Sequence, residues 1–587
     1  MKKIRIGNSS GFWGDFPDAL KNMSQNGNLD YLTSDYLAEV SMSILRKQQR
    51  KNADLGYVPD FVNHFLDALP YIVTNGIKII TNAGGNNPKA LGIVINEILK
   101  KEKLNLKVVA IEGDNILDAL NTYGDNQFEN FDTGEKFNGE FKSANAYIGV
   151  AGIIKAIELN ADIIIAGRVT DSALAMAPMI HHLNWSLDDY RKLGSGMLAA
   201  HCIECGTQIT GGNFTDWDKI EDWGTLGFPI IEVYENGDFT VSKHNDSKGL
   251  VSIDTVKEQL LYEIKDPKLY YSPDVISDLT NLKLVQLKNH YVQIKGGNGQ
   301  EPTSYYKVSA SYLDGYKATG SLIISGPQAV KKAKLVQQLF WEKTDIKFHR
   351  SNTEFVGFNS CTSSNKPINE SNEVLIRFHA HDYNHDYIKK FCENIASMVL
   401  SGPQGISVIG GRPRIQEVYA YWPFLISKEN VKIKVIEIDT KKTHDVIPKK
   451  TYNPSISPSF VLPENNINNL PYEGVEVYLS QLCLARSGDK GNNVNIGVAA
   501  RSEVIYKFLE KHLTPNMLRV WFDKFVNGQI TRYQVPGLLS FNFFLEEALD
   551  GGGTLSLRID AQGKTFAAQL LNQKIKVPPD ILNSINK

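Results

Sequence analysis

Five cysteines in 587 residues are too few for a disulfide framework, so the fold has to be held by its core. Charge of one sign is lacking too. Sixty-three Lys and Arg against 65 Asp and Glu leave a formal net charge of -2, which removes the electrostatic support for nucleic-acid binding. No apolar run reaches bilayer length, and the start MKKIRIGNSSGFWGD enters a strand-like segment without a signal-peptide apolar stretch. From these absences we expect a cytoplasmic protein with neither membrane nor nucleic acid as partner. There is also no GxGxxG at the strand-to-helix turns, no Walker loop, no nucleophile elbow and no paired metal-ligand motif. One CxxC exists, Cys202 and Cys205 in HCIEC. It has no second pair. A zinc site would have to recruit His181, His182 or His201, whereas free cysteines commonly pack as small apolar residues, and we expect no metal.

What is present is a hydrophobic content of 42% and a charged content of 22%, the balance of a globular chain long enough for two or three domains. The first part alternates strand and helix. KIRIG (3–7), LDYL (29–32), IKII (77–80), NLKVVAIE (105–112) and the fully apolar IIIA (163–166) read as strands. Helices are predicted within 35–49, over 60–69, from Pro88 at a first helical position, over 145–159, and after 170 with Thr170 or Asp171 as cap. This alternation predicts a mostly parallel sheet whose ligands bind beyond the carboxyl ends of its strands. That rule gathers Asn8, Ser9, Trp13 and Asp15, then Asn82, Gly84 and Gly85, then Glu112 and Asp114, and finally Arg168 with Asp171. Arg168 would project beside a helix N-terminus, suited to an anion; equally, it pairs with Asp171. Gly84 and Gly85 either let backbone N–H groups approach a phosphate or carboxylate, or simply close the turn.

Beyond this element a helix over 195–205 puts His201 and Glu204 at i and i+3, either as a proton-transfer pair or as ordinary neighbours; the charge-poor surroundings favour the first. Residues 228–345 turn to hairpins, one around Asn236 and Gly237 and a strand pair around Asp314 and Gly315, an α+β extension with a helix near 327–341. EVLIRFH (373–379) is a strand leading into a helix from 380 to 400, and His379, His381 and His385 read as a solvated turn and helix start rather than a metal site. Arg412 and Arg414 flank Pro413 after a double glycine, an extended turn that suits carboxylate or phosphate.

A Pro-, Asn- and Ser-rich stretch then marks a linker at 446–472. It divides a large domain, 1–445, with possible subdomains 1–225 and 226–445, from a small one, 473–587. The small domain starts with a strand over 475–485 and the charged loop RSGDKGNN, where Arg486, Asp489 and Lys490 with Asn492 and Asn493 form an anion- or carboxamide-binding corner. Helices at 502–513 and 515–526, a strand ITRYQV, a helix FNFFLEEAL and a hairpin of TLSLRI with FAAQLL complete an α/β sandwich on a ferredoxin-like plan.

GRVTDSALAMAP, ECGTQITGGNFTDW, GGRPRIQEVY with the YWP that follows, and LARSGDKGNNVNIGV together resemble the acyclic terpene utilisation (AtuA) family over the entire chain. The resemblance implies a large N-terminal domain and a small ferredoxin-fold-like C-terminal one. It also implies a role in breakdown of acyclic terpenes, whose acids are processed as coenzyme A thioesters. In GFWGDF this chain has Phe16 where the family pattern leads us to expect Arg. We therefore expect a catabolic enzyme acting on a branched or terpenoid acid or its thioester by a hydratase or lyase type of step. Asp171, His201 or Glu204 would be the acid and base, and Asn82, Gly84, Gly85, Arg168, Thr170, Arg412, Arg414, Arg486, Asp489 and Lys490 would bind the substrate. Coenzyme A enters only as part of the substrate; no cofactor is identified, and a homo-oligomer is expected. The alternative is a non-enzymatic accessory or scaffold protein for an acyl-CoA carboxylase type of pathway.

Overall fold

The computed structural model describes residues 2–38, 41–122, 128–224, 226–358, 360–362, 371–451 and 474–585. Its central sheet has eleven strands among these residues. Five of them, Lys3–Asn8, Tyr31–Ser34, Lys78–Thr81, Ile163–Ala166 and Val108–Glu112, lie side by side in that spatial order and run parallel. Helices cover both faces of this part, so alternate residues of one strand enter different cores: Ile164 joins one, Ile163 and Ile165 the other. That double burial is why IIIA is apolar without interruption.

The sheet as a whole is mixed, which corrects the expectation of a mostly parallel one. On one side the hairpin Pro229–Tyr234 and Phe239–Lys243 pairs antiparallel with Lys3–Asn8; on the other Ile433–Glu437 pairs antiparallel with Val108–Glu112. Crossover helices make strands parallel, whereas the strands of the extension come in antiparallel hairpins closed by short turns, 229–243, 283–295 and 433–446. Four strands at one edge and two at the other are added this way.

A second sheet is built on Tyr305–Ser325, which is one bent strand of 21 residues where a strand pair was expected. Asp314 and Gly315 make an irregularity in it, with Gly315 at φ +83° and the pairing with Gln416–Ser427 shifting register between Leu313 and Tyr316. A bulge of this kind bends a strand and need not end it. Phe141–Ala146 adds to this sheet, so the helix expected from 145 is confined to Ala151–Glu158. His379 and His381 lie buried on the strand Glu373–Asp382 and not in a solvated turn; His379 is held by Glu354 at 3.2 Å and Thr319 at 3.0 Å.

Residues 446–451 of the expected linker are attached to the large part, Thr451 Oγ1 donating to the Thr303 carbonyl at 3.0 Å; 452–472 lie outside the described residues. The C-terminal sheet is antiparallel, ordered Cys483–Lys490, Asn493–Ala500, Ser540–Leu545, Ile530–Val535. RSGDK is thus strand rather than loop, and FNFFL is strand rather than helix. The reason is a period of two with both faces buried. Val494, Ile496, Val498, Phe541, Phe543 and Leu545 fill the C-terminal core, while Leu484 and Ala499 join the core of the large part. FAAQLL, expected as a strand, is the helix Phe566–Leu571, and TLSLRI before it has no regular structure.

Candidate functional site

The carboxyl ends of the five parallel strands carry a concentration of buried polar side chains. Asp35 and Asn82, in the turns after the second and third strands, are 4% and 0% exposed. Asn82 Nδ2 donates to Asp35 Oδ1 at 2.6 Å, and Asn82 Oδ1 accepts from the Tyr36 N–H at 2.7 Å. Burial pushes the Asp35 carboxyl up to about 6, opposed by the nearby Arg168 charge and aided by Glu204. Asp114 is pushed to about 6 by the same cause, although it accepts from the Arg168 N–H at 3.0 Å and Asn145 Nδ2 at 2.8 Å.

Arg168 does not project. It is 1% exposed, its Nε donates to the Val169 carbonyl and its Nη1 to that of Leu37, both at 2.8 Å; its Nη2 pairs with Asp171; and its guanidinium lies 4.4 Å from the centre of the Tyr147 ring. Buried guanidinium groups must use their donors within the protein, and the loop folds back to let this one do so. Asp171 is the accessible member, with 40% of its side chain exposed. The helix that follows, Ala173–His182, has no side-chain cap from Thr170 or Asp171; the buried Thr170 hydroxyl and Asn145 Oδ1 make no hydrogen bond among the described residues. The two glycines serve close packing. A Cβ on Gly84 would stand 2.5 Å from the Ala166 carbonyl, and Gly85, at φ +52°, donates its N–H to the Asn82 carbonyl.

Helix Tyr190–Glu204 delivers His201 and Glu204 to the same rim. Its last carbonyls are satisfied from the first strand: Asn8 Nδ2 donates to Ile203 at 2.6 Å and to Glu204 at 3.3 Å. His201 is fully buried, with Nδ1 2.7 Å from Glu204 Oε1 and Nε2 3.0 Å from the Gln259 carbonyl. Tyr270 Oη lies 3.3 Å from the same Nδ1, and burial raises its phenol well above the usual range. Glu204 keeps 14% of its side chain open. Gly11 packs on the Glu204–Cys205 backbone, and the loop it belongs to exposes Phe12 and Phe16. Thus a carboxylate with a small opening and a buried imidazole lie on a helix end against which the loop bearing the exposed Phe12 and Phe16 packs through Gly11.

The C-terminal sheet closes this side. Arg486, also 1% exposed, reaches into the large part: Glu258 is 2.9 Å away, Gln259 Oε1 accepts at 3.3 Å, and the Gln208 and Gly212 carbonyls accept at 3.2 Å each. Gln259 Nε2 donates in turn to the His201 carbonyl at 3.1 Å, so Arg486 supports the site at one remove. Lys490 and Lys564 hold Glu263 below its ordinary range against burial, and Asp489 acts on the neighbouring Tyr262. Arg412 and Arg414 are exposed on the second sheet, Arg412 paired with Glu393 at 2.8 Å, and neither joins the rim.

Among the described residues no group of three or more His, Cys, Asp or Glu is placed to hold a metal ion, and no helix is long and apolar enough to cross a membrane. Cys202 is buried in the helix and Cys205 half-buried, and burial raises both thiols. Sequence reasoning missed Asp35, Tyr270, Gln259 and Glu263. The rule that placed Asn82 on the rim would have found Asp35; the others come from 55 or more residues downstream and carry no local signal.

Family models match most of the chain. That of the acyclic terpene utilisation family protein AtuA covers residues 4–436, and that of the AtuA ferredoxin-like domain covers 477–576. The chain belongs to the AtuA family. The first match contains the whole parallel rim with His201 and Glu204; the second contains Arg486, Lys490 and Lys564, so the candidate site draws residues from both matched regions. No curated protein matches the chain.

Proposed function

We propose that this AtuA member is a catabolic enzyme that moves a proton on a branched or terpenoid carboxylic acid, or on its coenzyme A thioester, in a hydratase or lyase type of step. One observation supports the reading: the Glu204 carboxylate, held by a fully buried His201, keeps a small opening, and the loop that packs on the Glu204–Cys205 backbone exposes Phe12 and Phe16. An apolar chain with a polar head suits those surroundings.

Glu204 is then the group that meets the substrate, and His201 fixes its orientation. In hydration, Glu204 takes a proton from water as the water oxygen bonds to the β-carbon. Asp35, half protonated near pH 6 because it is buried, returns a proton at the α-carbon; dehydration runs the reverse. Asp171, with 40% of its side chain exposed, is a substitute for Asp35 in that role. Composition and charge favour the cytoplasm, and a division into 1–445 and 473–587 is supported by a core built from the C-terminal residues alone.

The test is turnover of a panel of branched acids, unsaturated terpenoid acids and their coenzyme A thioesters by the full chain and by Glu204→Gln. Hydration or exchange of solvent deuterium by the wild type, lost in the variant, supports the reading. Equal rates in both would sink it. No turnover by the wild type, together with co-purification of a carboxylase-type partner, would favour the accessory role.

A further inference from the structure

The helix Ser41–Lys51 turns Arg46, Lys47 and Arg50 toward one side, a set at i, i+1 and i+4. Facing them across a small, open recess are Lys142, Ser311 and Tyr419, from three adjacent strands of the second sheet. Among the described residues no acidic one lines it. The nearest carboxylates lie at its margin: Glu417 pairs with Lys47 at 2.8 Å and Glu140 with Lys142 at 2.6 Å. Four cations against two anions leave an excess of two positive charges around a space the size of one small polar group.

The recess is also unsatisfied. Arg46 Nε is buried and has no hydrogen-bond partner among the described residues, although Nη1 of the same guanidinium donates to Gln49 at 2.7 Å. A buried guanidinium N–H without an acceptor is costly, and a ligand acceptor would relieve it. Cations at the end of a helix favour its dipole, which accounts for Arg50 and Lys51 but not for Arg46, in the middle of the helix, or Lys142, on a strand. A fixed fork of N–H donors beside two lysines is the chemistry that holds a phosphate dianion.

We propose that this recess is a phosphate-binding site that takes the phosphate monoester group of a small molecule. Its size and the near-neutral chain oppose a polynucleotide. It is joined to the candidate site on two sides. Asn145, which holds Asp114, lies three residues along the strand from Lys142, about 10 Å away. The Met42 carbonyl, one turn before Arg46, accepts from Asn86 in the turn after the third strand at 2.9 Å. The molecule that carries the phosphate is therefore placed to reach the rim with its other end; that identification rests on the proposed function, whereas the phosphate site does not.

Calorimetric titration of the full chain with inorganic phosphate and with adenosine monophosphate tests this at fixed ionic strength. The expected result is one site per chain for at least one probe. Affinity should fall about tenfold or more in Arg46→Gln and in Arg50→Gln, the loss of one charge-assisted hydrogen bond. Lys142→Gln, on a separate element, should weaken binding as well, which guards against a misfolded helix variant. Tighter binding of adenosine monophosphate than of phosphate points to a larger ester, and equal binding to the free ion. Retained binding in His201→Gln separates the recess from the proton-transfer reading. No binding of either probe at millimolar concentration, or affinities unchanged in all three recess variants, would overturn the proposal.

Discussion

Arg168 and Arg486 are the two largest fully buried side chains of the molecule, each 1% exposed, and their surroundings differ in a way that separates a support from a site. Arg486 meets a carboxylate that is itself buried: Glu258 has 1% of its side chain exposed, and backbone carbonyls and Gln259 take up the rest of the guanidinium. Arg168 meets Asp171, which is 40% open, and shares its neighbourhood with two carboxyls raised by burial, a buried threonine hydroxyl with no partner, and an open Glu204. Both arginines are buried and ion-paired. Only the second has polar groups left over for something outside the protein, and that excess, rather than the presence of an arginine, marks the rim as the candidate site.

The sharpest way to break this comparison is at Arg486. Arg486→Ala should strand the buried Glu258 charge between the two cores and destabilise the chain by about 3–5 kcal/mol, read from urea unfolding. A loss below about 1 kcal/mol would show that the pair is not the support described. His201→Gln should do the opposite. The amide can still meet the Gln259 carbonyl, so stability should change little while turnover drops by about 10²–10⁴, the range for loss of a positioned acid–base partner. An inactive variant that has also lost its cooperative unfolding would place His201 with Arg486 as structure.

Acidity distinguishes the two regions by sign. Asp35 and Asp114, raised to about 6, bind protons more tightly folded than unfolded, so their contribution makes stability fall as pH rises from about 4 to about 6, by about 2–3 kcal/mol each, and level off above. Asp216, which joins the two parts through Arg501 at 2.6 Å, is lowered to about 2. Its contribution is complete above about 4 and is lost as pH falls toward 2. Unfolding curves across this range should therefore flatten between 4 and 6 in Asp35→Asn, and between 2 and 4 in Asp216→Asn. The opposite assignment of the two windows would refute the burial argument. The smallest effect belongs to Arg412→Ala, an exposed pair with Glu393 away from the rim, expected to change stability by about 0–1 kcal/mol and turnover not at all. A clear loss of turnover would bring Arg412 back as a binding residue.

The strands that pack apolar side chains on both faces could be read from the chain. IIIA at 163–166 and the alternation that follows it fixed the parallel core and hence the rim where Asn82, Asp114 and Arg168 gather. FNFFL at 541–545 misled because a short apolar run with acidic residues after it also suits a helix; pairing on both edges, with Phe541, Phe543 and Leu545 in the C-terminal core and Asn542 donating to the Ile264 carbonyl on the other face, decided for strand. His201 and Glu204 could be found because i, i+3 neighbours are set by the helix itself. The partners that give them meaning could not.

Local sequence settled which segments are strands and helices where period and burial agree, and it settled the family, since long motifs are a property of the chain. The tertiary structure alone decided that Gln259, Tyr270 and Arg486 surround His201, and that Arg168 turns inward to Asp171. The physical reason is that a buried charge takes whatever partner the packed fold brings within hydrogen-bond reach. Residues 201 and 486 become neighbours through Gln259 only when one face of the C-terminal sheet is buried against the large part.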